Sequence, residues 1–197
     1  DVDGLNTNLG VISALVLAFI LALAATGLLP VVRDNGRLLA SVWGAAAVLA
    51  LWHGWLLASA YRHGRRLAVT RDLRPQHYVQ ACAQGAILLY WGWYWPGVYG
   101  AAHLLSAQIL FAYAFDLLLS WSRHDRYALG FAPLPVILSI NLFLWFKADW
   151  FYLQFLMLAA GFMGKEFVRW RRDGRDTHIF NPSAFSLGLF SLLLILT

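Results

Sequence analysis

Long apolar runs divided by short connectors, every second one of them basic, restrict this chain more than any other feature. The complete runs are Leu9–Val32, Leu38–Tyr61, Tyr78–Trp95, Ala101–Trp121, Phe131–Phe146 and Trp150–Val168, and a seventh starts at Ser183. A helix needs about 20 apolar residues to cross a hydrocarbon core of about 30 Å. Hydrophobic residues make up 60% of the 197 and charged residues 13%. Soluble domains are roughly half apolar and a quarter charged, so the expected fold is an all-α polytopic membrane protein. It forms one membrane domain over residues 1–197, with about six complete transmembrane helices and the start of a seventh. The fifth and sixth runs are short and divided only by Lys147-Ala148-Asp149, and Pro133 and Pro135 lie near the start of the fifth. A tight hairpin or a broken, re-entrant helix pair is expected there, which a membrane tolerates where protein covers the freed backbone. From Ser183 to Thr197 a helix reaches only about 22 Å at 1.5 Å per residue, so this chain is expected to be a fragment of a longer one.

Lys and Arg set the sidedness. Arg62, Arg65, Arg66, Arg71 and Arg74 occupy the second connector, Arg123 and Arg126 the fourth, and the Arg169–Arg175 group the sixth. The connectors between them hold only Arg33, Arg37 and Lys147. By the positive-inside rule, the N-terminus and the three basic connectors are cytoplasmic. Trp91, Trp93, Trp95, Trp145 and Trp150 then fall at the outer ends, where an aromatic belt belongs. The net charge of +5 follows from this pattern and suits a bilayer with anionic headgroups, so nucleic acid is not the expected partner. The basic cytoplasmic connector at 169–180 reads first as an orienting, headgroup-binding element. Its guanidinium groups also suit a flavin phosphate or an acidic partner subunit.

Few residues inside the runs carry chemistry. Cys82 is the one cysteine, so neither a disulfide nor a thiolate cluster can form within the chain, and no metal site is expected. Asp116 is the most deeply placed acid, and an intramembrane carboxylate marks an ion or proton path by default. Against that, Arg123 shares its helix face and can partner it. Glu166 is the only glutamate. It reads either as an interfacial ion pair with Arg169 at i+3 or as part of a cation or cofactor-phosphate site. His53 and His103 differ in depth by about 20 Å, which argues against joint ligation of one haem iron. His53, flanked by Trp52 and Trp55, is expected to be a packed, hydrogen-bonded helix residue. No Walker A, dinucleotide-binding glycine pattern, nucleophile elbow or His-Glu-x-x-His motif occurs.

Gly164-Lys165-Glu166-Phe167 breaks the sixth run, and Thr177-His178-Ile179-Phe180-Asn181-Pro182-Ser183 opens the seventh. Asn181 is a good N-cap and Pro182 suits the first helical position. A helix is therefore expected to start there, presenting its positive dipole end after a cationic approach. Taken together, Gly-Lys-Glu, a polar connector and Phe-Asn-Pro-small resemble the NqrB/RnfD family over roughly residues 125–190. That family comprises the membrane flavin-carrying subunits of sodium-translocating NADH:quinone oxidoreductase and of the Rnf electron-transport complex. The resemblance implies a multi-pass helical bundle of two related repeats in the bacterial cytoplasmic membrane. It implies a bound flavin (FMN or riboflavin), electron transfer coupled to ion movement, and other membrane subunits as partners. Lys165, Glu166, Arg171, Arg172, Arg175, His178 and Asn181 are then the expected cofactor-binding residues, and Asp116 the ion-pathway candidate. The family's covalent flavin attachment, through a Thr in a Ser-Gly-Ala-Thr-like motif, has no counterpart in residues 1–197, so no attachment residue is assigned. The alternative reading is non-redox: a small-solute channel or transporter on the same scaffold, or a structural subunit of a larger membrane complex.

Overall fold

The computed structural model describes residues 9–65, 67–172 and 175–196, with the backbone alone at 9, 11, 127–128, 171–172 and 175–178. Its elements follow in the order α1 (Leu9–Thr26), α2 (Pro30–Arg33), α3 (Gly36–His63), β1 (Ala68–Asp72), α4 (Pro75–Tyr94), α5 (Pro96–Gly100) and α6 (Ala102–His124). The second half continues with β2 (Arg126–Gly130), α7 (Pro133–Asn141), a 3₁₀ turn at Ala148–Trp150, α8 (Tyr152–Phe167), β3 (Arg169–Arg172), β4 (Arg175–His178) and α9 (Pro182–Leu196). The chain is mostly helical, as its apolar runs require. Two of the helices, α3 and α6, are long and apolar enough to cross a membrane.

The runs and the helices differ in instructive ways. The first run is a helix, a turn and a second short helix, because Pro30 cannot continue α1 and instead starts α2. The fifth run does not form one long helix. Its helix α7 has only 9 residues, about 14 Å of rise. Pro133 and Pro135, where the sequence places the break, both lie in the first turn of α7, where they are tolerated. The helix stops instead after Asn141. Three buried amides hold the chain where it unwinds. The Gln108 and Asn141 side chains exchange hydrogen bonds of 3.0 and 2.7 Å, and Gln154 donates to Gln108 at 3.2 Å. Gln154 also accepts from the Phe146 N–H at 3.2 Å, so the freed backbone finds a partner inside the protein.

The connectors hold four strands, a departure from the all-α expectation. α3 and α6 each end on a left-handed residue, Gly64 at φ 61° and Asp125 at φ 50°, and the chain then leaves extended. β1 and β2 pair in parallel, with Ala68 opposite Arg126 and Asp72 opposite Gly130. Arg65 clamps the two helix ends together, its Nη2 2.7 Å from Asp125 Oδ1 and its Nε donating to Oδ2 at 3.1 Å. Pro75 and Pro133 each stand three residues beyond the last paired position, so α4 and α7 start in step. The 169–180 connector is a β3–β4 antiparallel hairpin rather than a loop.

α6 is the central helix, packed against α1, α3, α7 and α8. Ala112, Leu118, Ile137, Met157 and Leu158 are fully buried along these contacts, and the Phe111 and Phe155 rings meet at 4.8 Å. The two ends of the bundle are distinct. At one end Asn35 donates to Asp149 at 3.2 Å, which joins the first and fifth connectors. The strands and the second, fourth and sixth connectors gather at the other.

Candidate functional site

Three of the helices that start at the strand-bearing end of the bundle, and one that ends there, meet around a single space. The first turns of α4, α7 and α9, with the last turn of α8, enclose a cavity of about 770 Å³. That lies within the usual range of small-molecule sites. All three helices begin with proline, at Pro75, Pro133 and Pro182, which has no N–H to leave unpaired. Each helix start brings the positive end of its dipole to the cavity. The Asn181 cap forms as expected: its Oδ1 accepts from the Ser183 N–H at 3.1 Å and from the Ser183 hydroxyl at 2.7 Å.

Two glycines bring the halves of the motif together. A Cβ at Gly161 would lie 3.0 Å from the Pro182 carbonyl oxygen, and one at Gly164 would lie 2.6 Å from the Phe185 ring. Without side chains there, α9 settles directly onto α8. Lys165 and Asn181, sixteen residues apart in sequence, therefore line one cavity.

The cations around this cavity are not equivalent. Arg74 is paired with Asp72 at 2.8 Å. Arg169 is paired with Glu166 at 2.6 Å, and the other Glu166 oxygen lies 2.6 Å from His124 Nε2. Among the described residues, half-buried Lys165 has no ion-pair partner. His77 lines the same cavity, and its Nδ1 is buried without a hydrogen-bond partner among the described residues. Burial holds the His77 imidazole below its ordinary value of 6.5; Asp72 opposes this shift, while Arg74 and Lys165 reinforce it.

Of the residues expected to bind a cofactor, Lys165 and Asn181 meet in the cavity. Glu166 stands outside its lining, held between His124 and Arg169. The side chains of Arg171, Arg172, Arg175 and His178 lie outside the described residues, and their backbone forms the β3–β4 hairpin. The expected pairing of Asp116 with Arg123 is not made: the Arg123 guanidinium lies over the Phe167 ring, 5.1 Å from its centroid. The charges acting on Asp116 come from Lys165 and Glu166, at the end of α8. His53 is a packed residue, with Ser13 Oγ 2.9 Å from Nε2 and the Trp121 ring at 6.0 Å.

Sequence reasoning missed the wall of the cavity that α4 supplies. Arg74-Pro75, with Gln76, His77 and Gln80 behind it, is an X-Pro helix start of the same kind as Asn181-Pro182, and that likeness was its signal. The Gln108, Asn141 and Gln154 cluster was likewise signalled by amides set within apolar runs. Compared with protein-family models, curated proteins and solved structures, the chain finds no match.

Proposed function

We propose that this chain is a multi-pass membrane protein whose basic end binds FMN, as a flavin-associated component of an electron-transfer complex resembling those of the NqrB/RnfD family. One observation carries the proposal. The two separated parts of the motif, at Lys165 and at Asn181, line a single cavity in which Lys165 has no ion-pair partner among the described residues. The residues present fit the group. Lys165 and the starts of α4, α7 and α9 suit a phosphate. Pro135, Val136, Ile179 and Phe180 form an apolar wall suited to a flat ring system. A bound flavin would supply one- and two-electron chemistry, and the protein's part is to bind, orient and shield it.

Lipid exposure supports the membrane assignment. Leu21, Leu51, Leu89, Trp93 and Ile195 are all more than half exposed, and so many bare apolar side chains suit hydrocarbon better than water. We read α1, α3, α4 from Tyr78 onward, α6 and α8 as spans, α9 as the start of a further one, and α7 as a half-span completed by the unwound stretch after Asn141. The strand-bearing, Arg-rich end faces the cytoplasm on this reading. The test is the visible spectrum of the full chain purified in detergent, before and after FMN is added. A flavin spectrum that stays with the protein through gel filtration is expected. Protein that neither carries flavin nor takes it up overturns the proposal.

A further inference from the structure

We infer that His77 is the proton-linked wall of this cavity: a phosphate dianion bound there draws a proton onto the imidazole. The inference rests on the proposal that the cavity takes a phosphate group, and adds to it a coupling between binding and pH. The argument is one of charge. A phosphate monoester carries close to two negative charges above its second pKa of about 6. Lys165 offers one positive charge with no ion-pair partner among the described residues, whereas Arg74 and Arg169 are paired with Asp72 and Glu166. The second charge has one source among the described groups facing His77. From the end of β1 and its link to α4 come Asp72 and Arg74; from the end of α8 comes Lys165 and from the start of β3 Arg169. The first turns of α7 and α9 contribute no titratable side chain to the lining. Protonating His77, which lines the cavity, therefore balances the ligand together with Lys165. His77 precedes the apolar run that begins at Tyr78, so the proton can reach it from the water at the bundle end.

The direction of the effect follows. In the free protein burial keeps His77 neutral to below the ordinary value, so ligand binding near neutrality takes up a proton. Affinity then rises as pH falls, by at most about tenfold per pH unit. The phosphate itself works the other way, since lowering the pH toward 6 removes its second charge. A rise in affinity must therefore come from the protein.

The experiment is calorimetric titration of FMN into the full chain, in nanodiscs of neutral phosphatidylcholine. It is run at about pH 8 and about pH 6.5, each in two buffers of different ionisation enthalpy. Wild type is expected to bind FMN about fivefold more tightly at the lower pH and to take up a fraction of a proton. His77→Gln, which keeps a polar side chain, should bind FMN with a flat profile and no uptake. Riboflavin, lacking the phosphate, should show neither effect in wild type. FMN binding of constant affinity without proton uptake overturns the coupling and leaves the phosphate site standing. A slope retained in His77→Gln, or shared by riboflavin, also overturns it, and no FMN binding at all overturns both the coupling and the site.

Discussion

Gly130→Ala is the substitution whose cost the structure sets most tightly. Gly130 closes β2 opposite Asp72, and a Cβ there would lie 2.3 Å from the Asp72 carbonyl oxygen and 3.1 Å from its carbon. That is roughly 1 Å inside van der Waals contact. The obstructing atoms are backbone, so no side-chain rotation relieves the clash and the strands must separate. Overpacking costs about 1–3 kcal/mol, and one ladder hydrogen bond lost adds about 1 kcal/mol, for a sum of about 2–4 kcal/mol. Gly64 is the control. It sits at φ 61° with nothing within 4 Å of a built Cβ, so Gly64→Ala meets only the left-handed backbone penalty of about 1 kcal/mol. At about 2–4 °C per kcal/mol for a chain of this size, thermal unfolding in detergent should fall by about 10 °C for Gly130→Ala and about 3 °C for Gly64→Ala. FMN binding should weaken in the first, because Asp72 forms part of the cavity wall. A Gly130→Ala protein no less stable than Gly64→Ala would refute the close strand approach.

Three further outcomes are expected. In a Cys82→Ser background, cysteines placed in the 62–74 connector should react only from the cytoplasm and those in the 95–100 turn only from outside; the reverse pattern defeats the orientation. Asn141→Leu leaves the buried Gln108 Nε2 without its acceptor and should cost about 1–3 kcal/mol, read as a drop in the unfolding midpoint, whereas an unchanged midpoint means the network does not support the unwound segment. Asn181→Leu should cost about 1–2 kcal/mol as a lost cap. Asn181→Asp keeps the acceptor and the stability but should weaken FMN binding by adding a negative charge, and an Asp variant that binds as well as wild type would reduce Asn181 to a cap.

The helices were legible because apolar run length and capping chemistry act locally. Asn181 and Pro182 specify their helix start without help from the rest of the chain. The strands were not legible, since β1 and β2 depend on pairing between segments 58 positions apart in register, with Arg65 reaching Asp125 to fix it. The site was half visible for the same reason. Lys165 and Asn181 are joined by one hairpin and could be grouped from sequence, whereas His77 and Arg74 reach the cavity only through the packing of α4 on α7. Asp116 shows the limit of helical-face reasoning: Arg123 lies on the expected face, yet the Phe167 ring offers its guanidinium a closer surface.

The central claim is that a cavity built from the ends of α4, α7, α8 and α9 holds a phosphate-bearing flavin through Lys165. It is tested most directly by titrating FMN and riboflavin into the wild-type chain and Lys165→Gln, with Lys147→Gln at the opposite end of the bundle as control. Removing the Lys165 charge should weaken FMN binding about tenfold or more, equivalent to about 1.4 kcal/mol, leave riboflavin binding nearly unchanged, and have no counterpart in Lys147→Gln. FMN binding that is equal in all three proteins, or absent from wild type, would contradict the account.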